Sequence, residues 1–104
     1  MVDLSAVVGF QWDDGNAHKS QDKHDVSPAE SEQVLFNHRL LLVEDIRHSS
    51  DESRFHAFGV TDTARRLHIT FTLRVGRSLV RVISARDMSL RERKWYATQS
   101  TQST

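Results

Sequence analysis

Cysteine is absent from this chain, which excludes both a disulfide framework and a thiolate metal site. Apolar burial alone must therefore hold the fold together. Apolar residues are themselves sparse, at 38% of the sequence against 27% charged, a lean composition that still lies outside the range of a disordered chain. No apolar run approaches the roughly eighteen residues needed to cross a membrane. The opening stretch MVDLSAVVGF has no positively charged n-region followed by a cleavage site, so a cytoplasmic location away from membranes is the expectation. Net charge is missing too, since 14 basic residues balance 14 acidic ones.

What is present fits one domain. A chain of 104 residues leaves no room for a second hydrophobic core, so residues 1–104 are read as a single domain with its core over about 8–97. The tail TQSTQST, residues 98–104, is polar and uncharged and is expected to be disordered.

The balanced total hides a segregation. Residues 1–64 hold five basic against twelve acidic residues, a net −7, whereas residues 65–104 hold nine basic residues against Asp87 and Glu92, a net +7. Such a division can build a basic face able to recruit phosphate, with an acidic face elsewhere. It can equally be internal neutralisation, with the two halves packed together. The basic excess is mostly arginine, whose planar fork suits bidentate phosphate contacts better than lysine does.

Along the chain, VVGFQW (residues 7–12) reads as a short opening strand. Asp13 or Asp14 then caps a polar helix running to about His24. Ser27 and Glu30 form a capping box, and Pro28 takes the first helical position, where no N–H partner is lost. A second helix through about Phe36 follows. LLLVEDI (40–46) reads as a strand or extended segment and RHSSDES (47–53) as a loop. Three strand signals come next, RFHAFGV (54–60), LHITFTL (67–73) and LVRVISA (79–85), joined by short polar links that fit antiparallel hairpins. In the middle one Leu67, Ile69, Phe71 and Leu73 alternate with His68, Thr70 and Thr72, so one face is buried and the other polar. Ser89 and Glu92 form a second capping box that opens a short helix ending near Trp95 and Tyr96. The order implies an α+β domain, an antiparallel sheet with two N-terminal helices packed on one face and a short C-terminal helix, all gathered on one side. The opposite, polar face is left for a ligand.

Three segments, FQWDDGNAHKSQDKHDVSPAE (10–30), RFHAFGVTD (54–62) and VRVISARDMSLRERKWY (80–96), resemble in matching order the hallmark segments of the BrnT toxins, a branch of the RelE/ParE superfamily. The matching pieces are FQWD near the start, KHDVS before the second helix, ISAR at the end of the last strand and ERKWY on the last helix. Asp25 stands where the family usually has Gly, Ser20 where Asn is common, and Val60 where a basic residue is frequent. The resemblance implies a small RelE-like domain and the toxin of a type II toxin–antitoxin pair. Such a toxin is a ribonuclease that cuts RNA to arrest translation, held silent in a hetero-oligomer by a BrnA-type antitoxin. DNA is then met only indirectly, through the antitoxin, in promoter autoregulation.

The residues can be read for chemistry beside that resemblance. Metal-free RNA cleavage needs a group to take the ribose 2′-OH proton, positive charge on the phosphorane, and an acid for the leaving 5′-oxygen. Arg86, at a strand end, is the first choice for phosphate stabilisation. In a regular strand it shares a face with Val80, Val82 and Ser84, whereas Arg81 lies with Leu79 and Ile83, so the two point to opposite sides unless a bulge intervenes. For Arg81 a structural ion pair competes with substrate binding. Lys23 and His24 close the first helix, where a histidine can act as base or acid, but where the helix dipole also favours both. Arg54 begins a strand and projects onto the open face beside His56. Tyr96 is free to stack on a base or donate a proton, while Trp95 anchors its helix to the sheet. Arg91, Arg93 and Lys94 are solvated or antitoxin-facing, and Phe10 and Trp12 belong to the core. The histidines show no ligand spacing such as HExxH, so neither a metal nor another cofactor is expected.

Two functions of different class remain open at this point. In one the chain is an endoribonuclease using Arg86, with Lys23, His24 and Arg54 completing the catalytic set and Arg81 and Tyr96 binding substrate. In the other it is a non-catalytic interaction module whose basic strand and helix clasp an acidic antitoxin partner.

Overall fold

A computed structural model of the chain describes residues 4–48 and 52–102. The elements run β1 (Gly9–Phe10), α1 (Lys19–His24), α2 (Pro28–Phe36), β2 (Leu41–Asp45), a 3-10 turn (Ile46–His48), β3 (Arg54–Val60), β4 (Arg66–Arg74), β5 (Leu79–Asp87) and α3 (Leu90–Gln102). Part of the polar loop RHSSDES and the last two residues of the tail lie outside the described residues. Five strands form one sheet in the order β1-β5-β4-β3-β2. All neighbours are antiparallel except β1, which pairs parallel with β5 at Gly9↔Leu79 and Phe10↔Val80. The expected antiparallel sheet is formed by β2 to β5, and β1 adds a parallel edge strand, since the helices that follow it make a crossover connection to the hairpins.

The alternation in β4 does what its pattern dictates. Leu67, Ile69 and Phe71 are fully buried, joined by Phe55 and Ala57 from β3 and by Val80, Val82 and Ala85 from β5. Val26 and the α2 residues Val34 and Leu35 cover this face. The contact between α2 and β3 is close enough that a Cβ on Gly59 would stand 3.1 Å from Val34 Cγ1, which accounts for a residue without a side chain in a central strand. Phe10 and Trp12 pack against the same core, and the Trp12 indole donates to Glu32 at 2.8 Å.

Both capping boxes form. The Ser27 hydroxyl accepts from the Glu30 N–H while the Glu30 carboxylate accepts from the Ser27 N–H. Ser89 and Glu92 make the same reciprocal pair at α3. Two helix limits differ from expectation. α1 starts only at Lys19, since Asp13 does not cap it: its carboxylate accepts from the Gly15 N–H at 2.8 Å and binds Arg81 instead. α3 continues to Gln102, past Tyr96 and into the polar tail, because nothing in ATQSTQ breaks a helix once the capping box has nucleated it.

α3 also lies on the other side of the sheet from α2. Phe58, which faces away from the main core, forms a second cluster with Met88 and Tyr96, flanked by Leu41 and Val60. The Tyr96 hydroxyl donates to the Arg39 carbonyl at 2.5 Å and fixes the helix there. The expectation that all helices gather on one side therefore fails, and the open face is only half open.

The register of β4 against β5 breaks once. Thr70 pairs with Ser84 and Phe71 with Val82, so Ile83 is a bulge residue with no direct opposite. The extra residue inverts the pattern of facing N-terminal to it. Val80, Val82 and Ala85 consequently all face the core, while Arg81, opposite Thr72, and Arg86, opposite His68, share the other face.

α1 ends in a left-handed residue, Asp25 (φ 56, ψ 40), whose N–H is bonded to the Gln21 carbonyl, the 5→1 bond of an αL cap, with the Val26 N–H bonded to the Ser20 carbonyl beyond it. Glycine suits that conformation best, which gives a physical reason for the usual Gly at this position in the resembling family. Asp25→Gly is expected to raise stability by up to about 1 kcal/mol, whereas Asp25→Val costs about 1–2 kcal/mol. Urea unfolding of the two variants beside wild type measures both signs.

Candidate active site

The strand registers arrange the side chains opposite the main core in three rows across β3, β4 and β5. Arg54, Thr72 and Arg81 form the first, His56, Thr70 and Ser84 the second, and Phe58, His68 and Arg86 the third. Asp45 on β2 sits opposite Arg54 and extends the first row. Three of the arginines singled out from sequence thus share one face. The spacing of the outer rows, four residues along β4, is roughly 13 Å at about 3.3 Å per residue.

The middle of this face is a hydrogen-bonded chain of side chains. His56 Nε2 lies 2.9 Å from Asp45 Oδ2, and His56 Nδ1 lies 2.8 Å from His68 Nε2 and 3.1 Å from Thr70 Oγ1. One assignment of protons satisfies the chain: the His56 Nε2–H donates to Asp45, and the His68 Nε2–H donates to His56 Nδ1. His68 Nδ1 is then a bare nitrogen. It is buried without a hydrogen-bond partner, and it stands 3.2 Å from Glu92 Oε2 in poor alignment, so that contact is electrostatic only. The ring of His68 stacks on Phe58 at 4.4 Å. Burial, aided by repulsion from Arg86, lowers the His68 pKa to about 4 in spite of Glu92.

Glu92 anchors the third row. It accepts from Arg86 through both oxygens, Nη1 to Oε1 at 2.8 Å and Nη2 to Oε2 at 2.9 Å, while also serving the α3 capping box. The Arg86 hydrogen bonds hold its pKa down to about 2. Arg86 itself remains 37% exposed and donates further to the Asp87 carbonyl. At the opposite end Arg81 is gripped by both oxygens of Asp13 and by Gln11 Oε1, a bidentate pair that lowers the pKa of Asp13. The chemical means of this face are a carboxylate-backed imidazole on β3 with guanidinium groups on either side.

Other sequence-predicted residues fall elsewhere. Lys23 and His24 are exposed at the end of α1, where the His24 and Asp25 carbonyls accept from Arg65. Arg65 in turn bridges Glu30 and Asp87. Because Asp87 pairs with Leu67 in the core-facing register, this cluster belongs to the helix-covered side, and the anticipated meeting of Lys23 and His24 with Arg86 is not formed. Tyr96 is 2% exposed, so it cannot stack on a base, and it is Trp95, 37% exposed, that stays open. The roles expected of these two neighbours are exchanged. Ser20 is buried and its hydroxyl accepts from the Ala85 N–H at 2.8 Å, a structural task that tethers α1 to β5. Val60 lies on the rim of the α3 cluster.

His56, His68, Asp45 and Glu92 were missed as a set. The signal for the two histidines was present: both occupy polar positions of alternating strands, and pairing RFHAFGV with LHITFTL through the short turn brings them near each other. Asp45 and Glu92 had no such signal, since one arrives from a strand edge and the other from a helix on the far side of the bulge.

The depressed His68 pKa makes stability depend on pH. The unfolded imidazole titrates near 6.5 and the folded one near 4, so as pH falls the unfolded chain takes up the proton first. The contribution of His68 is whole above about pH 6.5 and is lost on the way down to pH 4, by up to about 3 kcal/mol. Glu92 adds little above about pH 5, because its effect is lost only as pH falls through its ordinary value of 4.5 toward about 2. Urea unfolding between pH 7 and pH 5 should show this slope in wild type and a much flatter one in His68→Gln. Equal slopes would assign the loss to other groups.

Residues 12–92 match the model of a family described as the ribonuclease toxin BrnT of type II toxin–antitoxin systems. The fold matches the 1.1 Å crystal structure of the Brucella abortus ribonuclease toxin BrnT with a TM-score of 0.59 and 21% identity, over 80% of this chain and 99% of that one. No curated protein matches the chain. The match spans everything from Trp12 to Glu92, taking in strands β2 to β5, both arginines of β5 and the residue that holds Arg86, and on that extent the chain belongs to the BrnT family of ribonuclease toxins of type II toxin–antitoxin systems.

Proposed function

We propose that the chain is a metal-independent endoribonuclease that arrests translation by cutting RNA across the open sheet face, and that a BrnA-type antitoxin silences it in a cytoplasmic hetero-oligomer, meeting promoter DNA only through that antitoxin. The observation that carries the reading is the hydrogen-bonded Asp45–His56–His68 chain lying between Arg81 and Arg86 on one face.

In this reading a ribose 2′-OH takes the His56 Nδ1 lone pair from the His68 Nε2–H and displaces the Thr70 hydroxyl beside it, since both His56 nitrogens are engaged in the free protein. The 2′-oxygen attacks the adjacent phosphorus as its proton passes to His56, and Asp45 at Nε2 stabilises the imidazolium. Arg86 carries the negative charge that grows on the phosphorane oxygens. The bond to the 5′-oxygen breaks, that oxygen takes up a proton from water, and a 2′,3′-cyclic phosphate remains. Arg81 and Arg54 hold the neighbouring backbone phosphate in the outer row. Lys23, His24 and Tyr96 stand outside the reacting set.

A second reading is favoured by one observation, that the Arg81 and Arg86 forks are both already filled by protein carboxylates. A binding module without catalysis would keep them so and present the face only to an antitoxin. Expression and RNA cleavage assays separate the two. Wild type should stop growth and break RNA, with cleavage unchanged by a chelator. Arg86→Ala and His56→Ala should each lower kcat about 100- to 1000-fold, with Lys23→Ala and His24→Ala within about threefold of wild type. A wild-type protein that neither arrests growth nor breaks RNA would leave the binding module as the function.

A further inference from the structure

We propose that the groove between α3 and the β2–β3 edge of the sheet seats one unpaired nucleobase of the RNA, held by stacking and not read by hydrogen bonds. This rests on the ribonuclease reading of the adjoining face. The groove has a volume of about 400 Å³ and is lined by Val43, Phe58, Arg91, Glu92 and Trp95. Its apolar walls face solvent although apolar residues are few in this chain: Val43 is 42% and Trp95 37% exposed. Trp95 stands edge-on to Phe58 with ring centroids 5.0 Å apart, and Phe58 stacks in turn on His68. The aromatic contact therefore runs without a break from the groove into the histidine chain.

Two features choose a nucleobase as the occupant over an apolar protein segment. The first is continuity with the candidate cleavage site, for Glu92 is at once a wall of the groove and the holder of Arg86. A chain whose phosphate lies on Arg86 brings its next base to that wall. The second is charge. Arg91 lines the groove and is solvent-exposed, so a ligand with an anionic backbone and apolar faces fits both parts, as single-stranded nucleic acid does. The groove is equipped to stack but poorly equipped to discriminate. The two Glu92 oxygens are occupied by Arg86, one of them also by the Ser89 N–H, and Val43, Phe58 and Trp95 offer no side-chain acceptor to a base edge. Every base has a π-face, so any base should be accepted.

The test uses short 2′-O-methyl RNA oligonucleotides, which bind without being cut, carrying a terminal fluorophore and one abasic residue moved along the strand, with fluorescence anisotropy as the readout. Matching cleavable RNAs are used for kinetics. The expected result is a loss of affinity of at least tenfold for the abasic residue at one position only, with less than threefold difference among the four bases there. Trp95→Ala and Val43→Glu should both abolish that positional effect and raise KM about tenfold with a much smaller change in kcat, while Trp95→Phe retains it. If wild type cuts RNA but no abasic position matters, the base seat is wrong and the nuclease stands. If wild type binds with the abasic effect but cuts nothing, the seat stands and the nuclease reading falls. RNA kinetics untouched in Trp95→Ala, with only antitoxin binding weakened, would overturn the proposal in favour of a protein-docking groove. A tenfold preference for one base would overturn the claim that the seat does not read sequence.

Discussion

The bulge at Ile83 is the constraint on which both faces of the molecule depend. β5 must supply Val80, Val82 and Ala85 to the core, a spacing that no regular strand can direct to one side, since residues 82 and 85 have opposite parity. One unpaired residue resolves the conflict. It also turns Arg81 and Arg86 to the same side, which a regular strand would forbid for the same reason. The core and the basic face are thus two consequences of a single irregularity. Bulges are common beside functional sites for this re-aiming of side chains.

A second economy is concentrated in Glu92. Its carboxylate completes the capping box of α3, fixes the Arg86 fork in two hydrogen bonds and faces the buried Nδ1 of His68. The start of a helix and the orientation of a guanidinium are therefore set by one group. The arrangement is electrostatically consistent. A carboxylate at a helix N-terminus is favoured by the peptide dipoles, and two charge-assisted bonds to arginine add to that, which is why its pKa falls to about 2 despite partial burial. His68, between this anion and the Arg86 cation, receives opposing influences, so burial decides the outcome and the ring is held neutral. A neutral imidazole can donate through Nε2 to His56 without placing a second positive charge beside it.

How much of this was legible in the sequence follows from the range of each interaction. Ser27 with Glu30 and Ser89 with Glu92 were readable because a capping box is closed within four residues. The strands 54–60, 67–73 and 79–85 were readable because a period of two needs no partner to be seen. The bulge was not, since VRVISA carries no glycine or other mark at Ile83, and only the partner strand reveals which residue is left over. The side taken by α3 was equally hidden: its anchor is the Tyr96 bond to the Arg39 carbonyl, fifty-seven residues away. The exchange of roles between Trp95 and Tyr96 follows from that one bond, as adjacent residues on a helix face about 100° apart and only one can point inward. Asp13 shows the same limit from the other direction. An aspartate before a polar helix reads as a cap, but a guanidinium arriving from β5 competes for its oxygens and wins.

The charge segregation of the sequence can now be apportioned between its two readings. Arg65 with Glu30, Arg74 with Glu52 and Arg81 with Asp13 each join a cation of the second half to an anion of the first, so neutralisation between halves is real. It does not remove the basic face, because exposed pairs are weak in water and exchange partners readily. Asp13 is 54% exposed, so a phosphate that displaces it leaves a carboxylate that water can solvate, and the exchange is nearly even. Glu92 is far less exposed than Asp13 and is held by its own helix cap as well, so removing it from Arg86 strands a partly buried charge at greater cost. Within the proposed function the two arginines must then act differently. Arg81 can trade Asp13 for a backbone phosphate in the ground state, whereas Arg86 keeps Glu92 and offers the approaching phosphate the part of its fork still open to solvent. A guanidinium so braced moves little when charge develops beside it, and that preorganisation is what favours a transition state over a bound substrate.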